Sequence, residues 1–344
     1  MLNYDEAYYL EQLRALLAID STTGQFREIQ DYVIRELTRL GYSCSLCRKG
    51  GVIVPFGGTE EPLAMTAHLD DIGLMVRAVN GDGTLQVCPV GGLYPFYCMG
   101  MNVRLETRFG RRYTGTVCRR PASVHVTEDE LRKTMPDYRT NVCVVLDEPV
   151  RSAADVRALG IETGDMLALE PRFTRAGDYL KSHFLDDKAC AAMLLTLLKE
   201  CRDRDLQPRR RLYAYFAMYE EIGHGTTWLP ADVCDILAID IAPTGPDQTS
   251  DERKVSIFAK DTRFPYHWEM TNELVKTARD EGLDYAVDVF TPHYATDADG
   301  SVLAGHDVRH AAIGPGTANS HGYERMHLDG IRNTYALLRA YALR

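Results

Sequence analysis

Apolar positions recur at helical spacing near both ends of the chain and at strand-like spacing between them. Over residues 4–18, Leu10, Leu13, Leu16 and Leu17 share one helical face. A second helix is predicted after Ser21-Thr22-Thr23, with Ile29, Val33, Leu37 and Leu40 on one side and Gly41 as its stop. Strand-like segments follow at 43–48, 52–56 and 63–68. From Asp186 onward, helix and strand alternate. A helical pattern over 187–200 precedes strands at 212–219, 235–240, 254–259, 285–290 and 310–313, with helices near 266–282 and 297–305. A closing helix carries Leu328, Ile331, Tyr335 and Leu338. Such alternation predicts an α/β fold, a mainly parallel mixed sheet flanked by helices on both faces.

Residues 77–171 have a different texture. Short alternating runs, such as Val103-Arg104-Leu105-Glu106-Thr107, are separated by Asn80-Gly81-Asp82-Gly83, Gly91-Gly92 and Phe109-Gly110. That spacing predicts a small β-barrel or sandwich. The expected organisation is a discontinuous catalytic domain, 1–76 and 172–344, interrupted by a β-rich insertion at 77–171. Within 119–150 no motif is recognisable, and no internal repeat is visible.

Composition narrows the function. A net charge of −10 argues against nucleic-acid partners. No apolar run approaches the ~20 residues of a membrane span, and the opening residues Met1 to Glu6 lack a basic region followed by an apolar one. The nine cysteines are scattered and odd in number, which suits a reducing cytoplasm. Cys44 and Cys47 form a lone CxxC in strand-like surroundings, and no metal or redox role is assigned to them.

Chemistry gathers where apolar runs stop. His68 and Asp70 follow Leu63-Ala64-Met65-Thr66-Ala67; Glu220 and Glu221 follow the run 212–218; Asp240 ends Ile236-Leu237-Ala238-Ile239. Asp186 and Asp187 open a helical pattern, and His321 lies in a Gly/Ser/Asn-rich loop. In open α/β sheets, ligands collect beyond the carboxyl ends of strands. Each motif taken singly has a plainer reading. The His68/Asp70 pair could be structural, Asp at a helix start is ordinarily a cap, and a loop histidine is usually surface chemistry. Two glutamates beside an apolar strand, however, repel one another and are costly to desolvate without cations. They can serve one site only if the chain turns at once, as Gly223 and Gly225 allow. Asp186 could bridge two metals while Asp187 caps the helix. Together these donors make a dinuclear N/O shell, and hydrolysis is the leading reading. His183, His224, His293, His306 and His327 are not assigned as ligands.

In their order these motifs resemble the dinuclear-metal glutamyl/leucyl aminopeptidases of the TET type, a zinc-exopeptidase-like and deblocking-aminopeptidase-like group. Gly91-Gly92, the stretch 100–110 and Tyr113-Thr114-Gly115-Thr116-Val117 are similar to that family's inserted domain, and Leu159-Gly160-Ile161…Gly164-Asp165 to its return segment. Asp71 and Lys188 depart from the family's usual Glu and Arg. The resemblance implies two divalent ions, zinc with cobalt or manganese as alternatives. His68 and Asp240 would hold one, Glu221 and His321 the other, with Asp186 bridging. It further implies that Glu220 is the general base acting on a metal-bridged water, that Asp70 orients His68, and that N-terminal residues of peptides are removed. A homo-oligomer, in that family a tetrahedral dodecamer, is implied too, with the insertion serving assembly and substrate access. Alternatives are a metal-dependent amidohydrolase or deacylase of N-acyl amino acids, and a silent scaffold of the same fold. The preferred N-terminal residue is not legible in the chain.

Overall fold

A computed structural model describes residues 4–121 and 123–344. Met1 to Asn3, part of the opening stretch read above, lie outside the described residues, as does Ala122 within 119–150. Two compact units emerge: Met1–Asp70 with Arg172–Arg344, and Asp71–Pro171. The second starts earlier than residue 77 because the strand Gly73–Val79 pairs with Leu85–Val90 and Met166–Leu169.

The first unit is built on a mixed sheet. From one edge its strands run Ser45–Leu46, Val52–Gly57, Arg210–Ala217, Glu60–His68, Asp235–Ile239, Arg309–Thr317, Val255–Lys260 and Tyr285–Val289. The middle of this order, Arg210–Ala217 through Arg309–Thr317, is parallel throughout. Val52–Gly57 and Val255–Lys260 join it antiparallel on either side. Central parallel strands are covered on both faces, which is why their sequences are continuous apolar runs rather than alternating ones. On one face Ala64, Tyr215, Ile236, Ala238 and Ala312 pack with Phe258, Tyr266 and Ala298. The helix Leu185–Asp203 lies against the strand Glu60–His68. It is buried almost all round from Leu185 to Leu198, so its apolar pattern is broader than that of an amphipathic helix. A separate small sheet joins Thr174–Ala176, Tyr179–Ser182 and Glu324–His327.

The second unit is a closed antiparallel barrel, in the order Gly73–Val79, Leu85–Val90, Val142–Leu146, Arg112–Arg119, Asn102–Glu106, Met166–Leu169. Closure removes the exposed edges that a small sheet would otherwise present. The stretch without a motif holds a 3-10 turn, Val124–Val126, a short helix, Asp129–Lys133, and the strand Val142–Leu146. No helix among the described residues is long and apolar enough to cross a membrane.

Candidate metal centre

The four central parallel strands end side by side, and each delivers part of the cluster. His68 is the last residue of its strand, and Asp240 follows Asp235–Ile239 directly. Beyond Arg210–Ala217 the chain turns at once: Tyr219 is left-handed (φ 70°), Glu220–Ile222 form a 3-10 turn, and Gly223 (φ 82°) closes it. Consecutive glutamates are thereby taken off the strand pleat, which would have sent them to opposite faces. Gly225 is required for another reason, since a Cβ there would fall 1.9 Å from Asp297 Oδ1. His321 sits in the loop after Arg309–Thr317 with φ 59°, and Asn319 has φ 61°. Asp186 enters from the start of the helix Leu185–Asp203, just after left-handed Phe184.

Side chains from these separate segments meet. His68 Nε2 is 3.1 Å from Asp186 Oδ1 and 3.8 Å from Glu220 Oε2. His321 Nε2 is 3.6 Å from Asp186 Oδ2 and 3.4 Å from Glu221 Oε2. Asp186 therefore faces one imidazole with each oxygen. The ligand atoms of His68, Asp186 and Glu221 all lie within 4.8 Å of one another, and so do those of His68, Asp187 and Asp240.

Asp70 works differently from the expectation. His68 Nδ1 bonds to the backbone carbonyl of Asp70 at 2.9 Å, whereas the carboxylate stands 3.8 Å away. That carboxylate accepts instead from Glu220 N (3.1 Å), Glu221 N (3.3 Å) and the Thr23 hydroxyl (2.8 Å). It organises the turn that carries the two glutamates, while its carbonyl orients the imidazole. Asp187 Oδ2 accepts from the backbone N–H of His68 at 3.1 Å, tying the helix start to the strand end.

Burial and mutual repulsion dominate the electrostatics. Burial first, then the charge of Asp186, pushes the Glu221 carboxyl well up. Burial does the same for Glu220, partly offset by His68 and reinforced by Asp240. The same two causes, burial and Asp186, bring Asp240 to about 8. His68 is pushed down by burial, but the Asp186 hydrogen bond and the charges of Glu220 and Asp187 together hold it well above its usual value. Carboxylates crowded this tightly favour protons or cations. The donors, imidazole nitrogen and carboxylate oxygen, suit a divalent ion of the zinc, cobalt or manganese type.

A cleft of about 240 Å³ opens over these groups, lined also by Ile222, Gly223, Arg263, His293 and Tyr294. Three residues of the site went unread in the sequence. Arg263 places a guanidinium nitrogen 2.8 Å from where a Cβ on Gly223 would lie. Tyr294 donates to the carbonyl of Ile241, next to Asp240. Glu324, buried, accepts from Asp186 N and His321 N. For the first two only a lone Arg and a lone Tyr in a polar loop were available as signals. Of the unassigned histidines, His293 lines the cleft, His224 stacks on Tyr219, and His327 caps the last helix.

Comparison with known proteins assigns a family and a fold. The profile of the M42 glutamyl aminopeptidase family matches residues 50–337. A putative aminopeptidase of Bacillus subtilis, YhfE, is 35% identical over 337 residues, 96% of either chain. Among solved structures, a TET aminopeptidase from a marine-sediment Thaumarchaeota archaeon superposes with a TM-score of 0.89 at 17% identity, covering 99% of this chain and 97% of the other. The Pyrococcus horikoshii TET1 peptidase, described as assembling into a tetrahedron or a large octahedral shell, gives 0.85 at 22% identity, covering 98% and 99%. The chain belongs to the M42 glutamyl aminopeptidase family and is a peptidase of that family.

Proposed function

We propose that this peptidase is a dinuclear-metal aminopeptidase that favours acidic N-terminal residues. The observation that carries the reading is the meeting of His68, Asp186, Glu221, Asp240 and His321, from the ends of neighbouring parallel strands and a helix start, at the base of one cleft. Asp186 faces both imidazoles and is the residue suited to sharing. His68 and Asp240 would hold one ion, Glu221 and His321 the other. Bound divalent ions supply Lewis acidity, lowering the pKa of water and polarising a carbonyl.

The chain's own groups supply the proton chemistry and the positioning. Glu220, beside the cluster yet not needed to complete either half of it, takes a proton from the attacking water on its carboxylate and returns it to the departing amine nitrogen. Burial first, then the neighbouring carboxylates, raises its pKa above the ordinary carboxylate range, and proton transfer by a positioned side chain of this kind is general base catalysis. Asp70 fixes the main chain of Glu220 through its N–H, holding the turn that presents the base. Arg263, exposed on the cleft wall, would pair with a substrate carboxylate. The glutamyl preference named for the family agrees with that charge.

A homo-oligomer is also proposed, by analogy with the shells described for the Pyrococcus horikoshii peptidase. The barrel exposes Phe109, Val126 and Met135, apolar groups suited to an interface. Nine free thiols fit a reducing cytoplasm.

One experiment tests the function: release of free amino acids from peptides beginning with Glu, Leu or Lys, and from acetylated copies, before and after chelation. The expected result is release from unblocked peptides only, fastest for Glu, abolished by chelator and restored by zinc, cobalt or manganese. Chelator-resistant release would contradict the metal assignment, and release from acetylated peptides would favour the deacylase reading.

A further inference from the structure

Glu324 opens the strand Glu324–His327 and pairs in register with Ser182 on Tyr179–Ser182. It is 2% exposed. From there its carboxylate spans two separate parts of the metal centre: Oε2 accepts from Asp186 N at 3.1 Å, and Oε1 from His321 N at 3.2 Å. Leu185 N–H is a further donor to it.

Both segments it grips are conformationally costly. Phe184, just before the helix start, has φ 68°, and the loop has Asn319 at 61° and His321 at 59°. Left-handed backbone is disfavoured for residues that carry a Cβ, least so for Asn, so outside bonds help each segment keep its shape. One carboxylate provides them for both. One group thus bonds to the backbone of both Asp186 and His321 without a hydrogen bond to either side chain.

We propose that Glu324 is the positioning residue that locks the bridging carboxylate and the loop imidazole into one geometry. It acts on metal affinity and the catalytic rate rather than on global stability. This rests on the metal centre proposed above. Glutamine keeps the length of the side chain but turns one oxygen into an NH2 that faces an N–H, so one of the two grips is lost.

The test compares wild type, Glu324→Gln and Glu324→Asp, each stripped of metal. It measures zinc affinity by chelator competition, melting of the metal-free proteins, and kinetics on a Glu-initiated peptide at saturating zinc. Support for outer ligands of this kind is typically worth about 10–100-fold in metal affinity. The expected result is zinc binding weakened by about that factor in Glu324→Gln, a metal-free melting temperature close to wild type, and kcat lowered with KM nearly unchanged. Zinc affinity and kcat equal to wild type would overturn the inference. So would a metal-free melting temperature lowered enough to account for the loss. If Glu324→Gln does not fold, Glu324→Asp is judged by the same criteria, since its shorter carboxylate cannot hold both N–H groups. A wild type that binds none of zinc, cobalt and manganese would overturn the metal centre and this inference together. Normal wild-type binding with an unaffected variant would overturn this inference alone.

Discussion

Arg263 carries a charge opposite to that of the carboxylates it faces across the cleft, which makes it the residue to vary when substrate choice is in question. Hydrogen bonds to a charged group are worth about 1.5–3 kcal/mol, or about 10–100-fold. Arg263→Ala is expected to lose about that factor in kcat/KM on peptides beginning with Glu and to change little on those beginning with Leu. Equal losses on both, measured by initial rates, would remove Arg263 from substrate recognition. The residues that meet in the cleft are legible in the sequence because buried carboxylates at the ends of apolar runs are anomalous wherever they occur, as Asp240 among Ile239 and Ile241 is. The supporting roles were not. The Asp70 carboxylate bonds to Glu220 N and Glu221 N across 150 residues of sequence, and Glu324 acts through backbone groups that no side-chain pattern announces.

Some elements are less legible in the sequence than others. The strand expected at 310–313 runs from Arg309 to Thr317. Gly314, Pro315 and Gly316 interrupt its apolar run and hide its second half. Gly314 is there because a Cβ would fall 1.5 Å from the carbonyl oxygen of Asp240, and Gly316 because it would fall 1.9 Å from that of Asp251. The close approach of neighbouring backbones thus looks like a strand break in the sequence. The helix Asp297–Leu303 offers a test at this scale. Asp299, at its start, is fully buried beside Asp261, and burial first, then that neighbour, pushes its carboxyl up to about 8. A carboxyl whose folded pKa lies above its unfolded value of about 4 keeps its proton only in the folded state through that interval. Folding stability from this group therefore falls as pH rises from about 4 to about 8. Asn does not titrate, so the melting temperature of Asp299→Asn relative to wild type should climb over that range. A pH-independent difference between the two would show that Asp299 does not hold the proton.

For the whole molecule, alternation of helix and strand predicted the parallel core, and Gly-rich punctuation predicted a separate β unit. Closure of that unit into a barrel was not decided by pattern, because barrels and sandwiches share the same alternation. An assembly is proposed only by analogy. If the exposed apolar residues of the barrel are interface, the native mass should be near twelve subunits of 38.7 kDa, and a monomer by light scattering would contradict that. Glu220 separates metal binding from proton transfer, since it is the proposed base and none of the proposed ligands. The direct measurement is metal content and turnover of Glu220→Gln beside wild type, on the same Glu-initiated peptide. Unchanged metal per subunit with turnover reduced by about 10²–10⁴-fold is the expected result. Wild-type turnover in that variant, or wild-type protein that holds no divalent metal, would contradict it.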